Sequence, residues 1–356
     1  MLRELIPPLL FGVAAFTVLF VAGGYLAKLT NLLVQGVQAG IVLRLFLLYL
    51  PTVIVMTLPM SVLLAVLLSF SRLSSDSEIV ALWAGGISLK RLLVPVLALA
   101  FAVTVLSFVT SEWLAPRTHR QSSDLMEQLR GNAAVTQKPF IISDLEQDRY
   151  NAIVIVNKGI SPGTKELRDV TIFSGFTDSG PEVYMRAERA QWEGGNDWRL
   201  FNGMWQRIGP GGTVRNSFSG LESKTIKLGR TPDEVAEEQR DTDDLTFRQL
   251  AHRIQRMRAA KADTRELEVD LFNRFAVPLA SVVFALLAAP LGMRPHRGGS
   301  AMGFGLSVAL IFGYWTLWSY SSALAKSGHL SPIAGSFLAD LVFLAVGAAL
   351  LVRASR

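Results

Sequence analysis

Six apolar stretches, each close to or beyond the thickness of a bilayer, constrain this chain more than any other feature. A hydrocarbon core of about 30 Å needs roughly 20 apolar residues in a helix. The stretches are Leu5–Ala27, a second within Ile41–Phe70, Leu92–Val109, Phe275–Met293, Ala301–Ala325 and Ile333–Val352. Half of the 356 residues are hydrophobic, 18% are charged, and the mean hydropathy of +0.35 lies above the usual soluble range. This excludes a disordered chain and argues against a plain soluble enzyme. The first stretch is too long for the apolar region of a signal peptide, lacks a small-residue cleavage site and precedes five more spans. It reads as a retained helix.

Six spans place both termini on one side. That side carries Arg3, Arg72, Lys90, Arg91, Arg294, Arg297, Arg353 and Arg356; the short loops opposite carry Lys28, Arg44 and Lys326. The asymmetry makes the termini cytoplasmic by the positive-inside rule and puts residues 111–270 outside. The net charge of +6 is uneven, because residues 111–270 hold 23 Lys/Arg and 25 Asp/Glu. The basic excess therefore flanks the apolar segments, which explains it better than a nucleic-acid partner does.

Within the outside segment the pattern changes to strands. Ala152–Val156, Val170–Phe176, Val183–Ala190, Trp198–Trp205 and Thr225–Leu228 are rich in β-branched and aromatic residues. Turn signals separate them: Ser161-Pro162-Gly163, Asp178-Ser179-Gly180-Pro181, Gly194 to Asp197 and Gly209 to Gly212. This spacing predicts an antiparallel sandwich or jelly roll, with Trp192, Trp198 and Trp205 in its core or at its rim. A charged linker from Pro232 to Asp244 follows. Phe247, Leu250, Ile254 and Met257 then predict an amphipathic helix with Thr246 as its cap. The expected domains are residues 1–115 (three spans and a cytoplasmic helix at 74–86), 116–245 (the β domain) and 246–356 (the connecting helix and three more spans).

Several functions are excluded. There is no Cys, hence no thiol nucleophile, thiolate metal site or disulfide framework. The four His residues stand apart with no i, i+4 pair, so no catalytic or other metal site is expected. No G-x-x-x-x-G-K-[ST] phosphate loop occurs. If the chain's work uses energy, a partner must supply it.

The most informative cytoplasmic segment is RLSSDSEIVALWAGGISLKR, residues 72–91. Ser75 and Glu78 have capping-box spacing, Asp76 and Glu78 suit a helix N-terminus, and Ile79, Leu82 and Trp83 form an apolar face. Gly85-Gly86 then stops the helix. Such a helix could lie on the lipid surface, but Asp76 and Glu78 would be repelled by an anionic leaflet. Docking to a cytoplasmic partner fits better.

Other residues are open to two readings. Lys28, at the outer end of the first span, either snorkels or presents a cation to an anionic substrate such as a lipid phosphate. Arg44 shares that choice. Asp340, inside the sixth span, is either a protonated structural group or part of a polar path. Gly299, Gly303 and Gly305 include a G-x-x-x-G spacing that suits close helix packing or a gate, within this chain or with another subunit. Ser319 to Ser322 suit a cavity lining or interhelical hydrogen bonds.

DSEIVALWAGGIS (76–88), RFAVPLASVVFALLAAPLG (274–292) with the RGG at 297–299 and Gly303, and the order three spans, β domain, three spans together resemble one family. It is the LptF/LptG family, the paired permeases of the lipopolysaccharide-export ABC transporter. The resemblance implies six transmembrane helices with a periplasmic antiparallel β jelly roll inserted between the third and fourth. It implies a multi-pass protein of the bacterial inner membrane that extracts lipopolysaccharide and passes it to a periplasmic bridge for outer-membrane assembly. Such a chain is not an enzyme; ATP and Mg would bind a separate, LptB-like ATPase dimer. The coupling helix, with Asp76, Glu78, Ile79, Leu82, Trp83 and Gly86, would dock on that ATPase, and Lys28 and Arg44 would contact substrate phosphates. Further implied partners are a second permease of the same type or a second copy, a single-span LptC-like regulator and an LptA-like bridge. The alternatives are an ABC-type mechanotransmission permease, usually with four spans and its domain after the first, or a membrane-anchored periplasmic scaffold.

Overall fold

A computed structural model describes residues 2–85, 88–130, 140–146, 149–156, 160–161, 166–177, 180–195, 197–209, 212–218, 224–227, 241–259, 262–293 and 299–354. Gly86, Arg294, Arg297, most of the 232–244 linker and parts of the predicted turns lie outside these. The chain divides into two compact units, one of residues 1–123, 242–255 and 263–356, the other of 124–241 and 256–262.

The first unit is helical. α1 (Leu2–Phe20) runs through a π-helical turn, Val21–Tyr25, into α2 (Leu26–Val34). A turn at Gly36, with φ at +85°, leads to the 37-residue α3 (Ala39–Ser75). Then come the short α4 (Glu78–Ala84) and α5 (Leu89–Val109). A second π turn, Thr110–Leu114, passes into α6 (Ala115–Arg130). After the strands follow a 3-10 turn at Thr242–Asp244, then α7 (Phe247–Ala259), α8 (Arg265–Gly292), α9 (Gly299–Lys326) and α10 (Pro332–Ala354). Among the described residues five helical segments are long and apolar enough to cross a membrane: Leu2–Val34, Ala39–Ser75, Arg91–Met126, Arg265–Gly292 and Pro332–Arg353.

Burial ranks these helices. The most apolar stretch of α3 is 83% buried and that of α8 72%, against 17% for the first segment and 28% for the third and the last. α3 and α8 are thus the axis of the unit, and the others surround them. Leu63, Leu64, Leu67, Phe70, Phe284 and Ala288 form the centre of one continuous core. The outward Leu10, Phe11, Val18, Phe101 and Leu341 suit lipid, whose tails are as apolar as Leu.

Proline within these helices shows how the backbone is kept satisfied. Pro59 in α3 cannot donate to the carbonyl four residues back, Val55. The Ser107 hydroxyl of α5 donates to that oxygen at 3.4 Å. Neighbouring helices with Ser or Thr make such breaks tolerable in lipid.

Among the described residues the second unit carries eight antiparallel strands: β1 (Phe140–Glu146), β2 (Arg149–Val156), β3 (Ile160–Ser161), β4 (Glu166–Thr177), β5 (Gly180–Gly194), β6 (Asp197–Gly209), β7 (Gly212–Phe218) and β8 (Lys224–Lys227). They form one connected sheet in the order β1-β2-β4-β5-β6-β7, with β3 added to β4 and β8 to β6. Alternation sends Val154, Val156, Val170, Ile172, Met185, Ala187, Trp198 and Leu200 to one apolar cluster, with Trp192 and Trp205 packed at its edge. Pairing is interrupted along one line across three strands, at Asp169, Glu188 and Asn202. Asp169 and Asn202 have φ near +50°, a region that Asp and Asn tolerate better than other side chains do.

Two local expectations differ. α4 has seven residues, and the cytoplasmic helix does not begin at 74, because α3 continues to Ser75. The Ser75–Glu78 capping box does not form. The Ser75 hydroxyl donates to the Ser71 carbonyl at 2.9 Å, and Ser77 stands at the N-cap with φ at +59° and no side-chain cap. The apolar register of α3 runs past the expected end, so Ser75 belongs to its last turn. The third span continues helically through the π turn into α6, which ends at Arg130.

Candidate functional site

The expected docking helix is built as a two-sided element. Ile79 is 2% exposed and joins the core of the first unit, and Leu82 packs beside it. Ser74 fastens the preceding turn, its hydroxyl donating to the Met293 carbonyl at 3.0 Å. On the other side Val80 is 62% exposed and Trp83 44%. Glu78 is exposed at the first turn, where a carboxylate suits the helix dipole. Asp76 pairs with Arg72 at 3.8 Å, both well exposed. The six residues expected to act together therefore divide. Ile79 and Leu82 anchor, while Asp76, Glu78 and Trp83 face outward with Val80; Gly86 is not described.

Lys28 lies in α2, directly after the π turn, with its Nζ 5.9 Å from the Tyr25 ring centroid. Tyr25 in turn lies 4.7 Å from Tyr49 of α3, centroid to centroid. Arg44 is exposed in the second turn of α3. Lys28 stands about two turns before the Gly36 reversal and Arg44 a similar rise after it, so both mark the same end of the α2–α3 hairpin. Among the described residues neither forms an ion pair. A π turn widens a helix locally and often accompanies a functional position.

The glycines separate as well. Gly303 is buried, and a Cβ there would lie 3.2 Å from the Ser71 hydroxyl. Gly305 faces open space, with nothing within 4 Å of such a Cβ. Gly299 opens α9. Further along, the Ser321 hydroxyl donates to the Gly335 carbonyl of α10 at 2.7 Å, an interhelical bond. Asp340 is buried and accepts a hydrogen bond from the Tyr314 hydroxyl at 2.9 Å, joining α10 to α9.

Sequence reasoning missed a dense polar cluster at the ends of α5 and α8. Arg274 donates through one nitrogen to the carbonyls of Thr242 and Leu245, each at 2.7 Å. Its other terminal nitrogen stands 3.7 Å from the Glu112 carboxylate. Glu112 accepts the Phe247 amide, at 3.0 Å to each oxygen, and so caps α7 from outside its own sequence. Thr246 and Gln249 add a local capping box, the Gln249 carbonyl accepting the Thr246 amide at 3.0 Å. His119 Nδ1 meets Asp244 Oδ1 at 2.7 Å, and Arg120 donates to the Asp244 carbonyl and to Gln249 Oε1, each at 2.6 Å. Asp270 receives the Thr242 hydroxyl at 3.0 Å and pairs with Lys326 at 2.8 Å. The available signal was a carboxylate and a guanidinium, Glu112 and Arg274, at the two edges of apolar runs.

These features define a multi-pass membrane protein with an inserted antiparallel β unit and a short, partly exposed helix between two spans. Residues 1–353 match the family model of the lipopolysaccharide export system permease LptF/LptG, and the chain belongs to that family. The permease protein LptG of Escherichia coli K12 is 23% identical over 304 residues, covering 83% of this chain and 81% of that protein. LptF of the same strain is 21% identical over 335 residues, covering 90% and 85%. LptG of Haemophilus influenzae is 22% identical over 261 residues, covering 71% and 70%. Proteins of this family are membrane transport subunits rather than catalysts.

Proposed function

We propose that this chain is one permease subunit of an ABC transporter that extracts lipopolysaccharide from the inner membrane and hands it to a periplasmic bridge. The observation that carries the reading is the family match over residues 1–353. In this reading α9 is the fifth of six spans, its 28 residues reaching about 42 Å. Both termini are cytoplasmic, and the β unit is a periplasmic jelly roll that receives the lipid. ATP and Mg bind a separate ATPase dimer, docked on the outward face of α4 through Asp76, Glu78 and Trp83. Lys28 and Arg44 meet the phosphates of the substrate at the outer mouth of a cavity completed by a second permease. A single-span regulator completes the complex.

The chemistry of the substrate supports this division of labour. Each CH₂ drawn out of the bilayer costs about 0.8 kcal/mol, so a multi-acyl lipid needs an external energy source and continuous apolar contact. Affinity purification of the tagged chain from its own membranes in mild detergent, with mass spectrometry of proteins and lipids, tests the reading. It expects an ATPase, a second six-span permease and lipopolysaccharide to be recovered together. A chain recovered alone, in a preparation where known membrane complexes survive, would overturn it.

A further inference from the structure

The polar cluster around Arg274 is more than a helix cap. It draws together four separate pieces of chain: the continuous helix of the π turn and α6 with Glu112, His119 and Arg120, the return segment 242–249, α8 with Asp270 and Arg274, and the end of α9 with Lys326. Two of these pieces, α6 and the return segment, are the connections through which the chain leaves for the β unit and comes back. The other pieces are the ends of apolar helices. Charged or charge-assisted contacts link them, beside the Phe247–Phe275 ring contact at 5.5 Å and the bond from the Trp318 indole to Asn273 at 3.2 Å.

The choice of residues fits a grip on irregular backbone. The carbonyls of Thr242 and Leu245 lie outside any α-helix; the first accepts the Leu245 amide at 3.2 Å within the 3-10 turn and has a second lone pair for another donor. One guanidinium satisfies both and still presents its second terminal nitrogen to Glu112. A Lys ammonium carries the charge but lacks the planar fork. Arg274 and Glu112 side chains are only 13% and 19% exposed, so water does not readily replace either partner. A buried ion pair is weak support for stability alone, and a registry role accounts better for keeping it.

We propose that Arg274 and Glu112 are positioning residues for lipid export. With His119, Arg120 and Asp270 they form a collar that fastens both connections of the β unit to the ends of α5 and α8. A shift of those spans then moves both connections of the β unit together. This rests on the permease reading above.

The test uses the whole complex in vesicles containing labelled lipopolysaccharide, with the bridge protein added in solution. ATP hydrolysis and label transferred to the bridge are measured together. R274A is expected to hydrolyse ATP within about twofold of the unmodified protein while transfer per ATP falls about tenfold; R274K should lie between. Because the chain has no Cys, a T242C/D270C pair, placed where the native side chains meet at 3.0 Å, holds the only two thiols; its reduced form reports the loss of Asp270 and its disulfide the restored link. In the R274A background, forming that bond should restore transfer per ATP. Equal losses of hydrolysis and transfer, an unchanged transfer ratio, or a bond that forms without rescue would each overturn the collar. Unmodified complex that moves no lipopolysaccharide would instead overturn the permease reading.

Discussion

Lys28 carries its charge one turn past a widened stretch of helix, over a tyrosine ring and without a carboxylate partner among the described residues. A cation held by a ring face at an exposed site gains only about 0.5–1 kcal/mol from it, so the charge stays available to a stronger anion. Lys28→Asp should therefore lower photo-crosslinking of lipopolysaccharide to neighbouring α2 positions several-fold, while Lys28→Arg should keep most of it. Crosslinking at the unmodified level in Lys28→Asp would leave snorkelling as its role. The position of Lys28 was legible in the sequence, as a cation ending an apolar run. Its approach to Tyr25, and through it to Tyr49, was not, because that depends on a π turn and on a second helix. Glu112 and Arg274 were visible as charges but not as a pair, since 162 positions separate them and their link runs through an irregular segment.

At the scale of elements, the apolar runs located the helices well and their ends poorly. α3 and the first span outrun the expected stretches because polar residues in the flanking turns continue the helix, as Ser75 does by donating to Ser71. Interhelical packing is set by a few close approaches. A Cβ at Gly335 would collide with Ala325 Cβ and fall 2.8 Å from the Ser321 carbonyl, so α10 could not keep its present distance from α9. Gly335→Ala should lower stability by about 1–3 kcal/mol through overpacking, read as a fall in the thermal midpoint in detergent. Gly305→Ala, facing open space, should leave that midpoint unchanged or slightly raised. The reverse order would mean that α9 and α10 pack differently. The G-x-x-x-G spacing drew notice to Gly299 and Gly303, whereas Gly335, which has no such spacing, makes the tighter contact.

For the whole molecule, the face of α4 decides whether this chain works alone. Ile79 anchors the helix internally, while Val80 and Trp83 remain open beside Asp76 and Glu78. An aromatic flanked by acids suits a groove with an apolar floor and a basic rim, and such anchors dominate interface energies. Trp83→Ala combined with Glu78→Ala should cut recovery of the ATPase in affinity purification about tenfold or more, with the chain still inserted and its thermal midpoint preserved. Full recovery of the ATPase would remove α4 from the docking surface. Ile79→Ala should instead lower the midpoint first, because its side chain belongs to the core.

That the chain spans a membrane, where its helices lie, that a β unit interrupts them and which family it belongs to can all be read from contiguous residues, through apolar length, two-residue alternation and local motifs. Which helices form the axis, which side of α4 faces outward and which charges meet emerge only in three dimensions. Those outcomes depend on residues far apart in the chain. Arg274 needs the Thr242 and Leu245 carbonyls, and Pro59 needs Ser107, before either makes physical sense. Local pattern carries no record of such pairings, because the same charge at the end of an apolar run serves equally as a membrane anchor, a substrate contact or half of a buried pair.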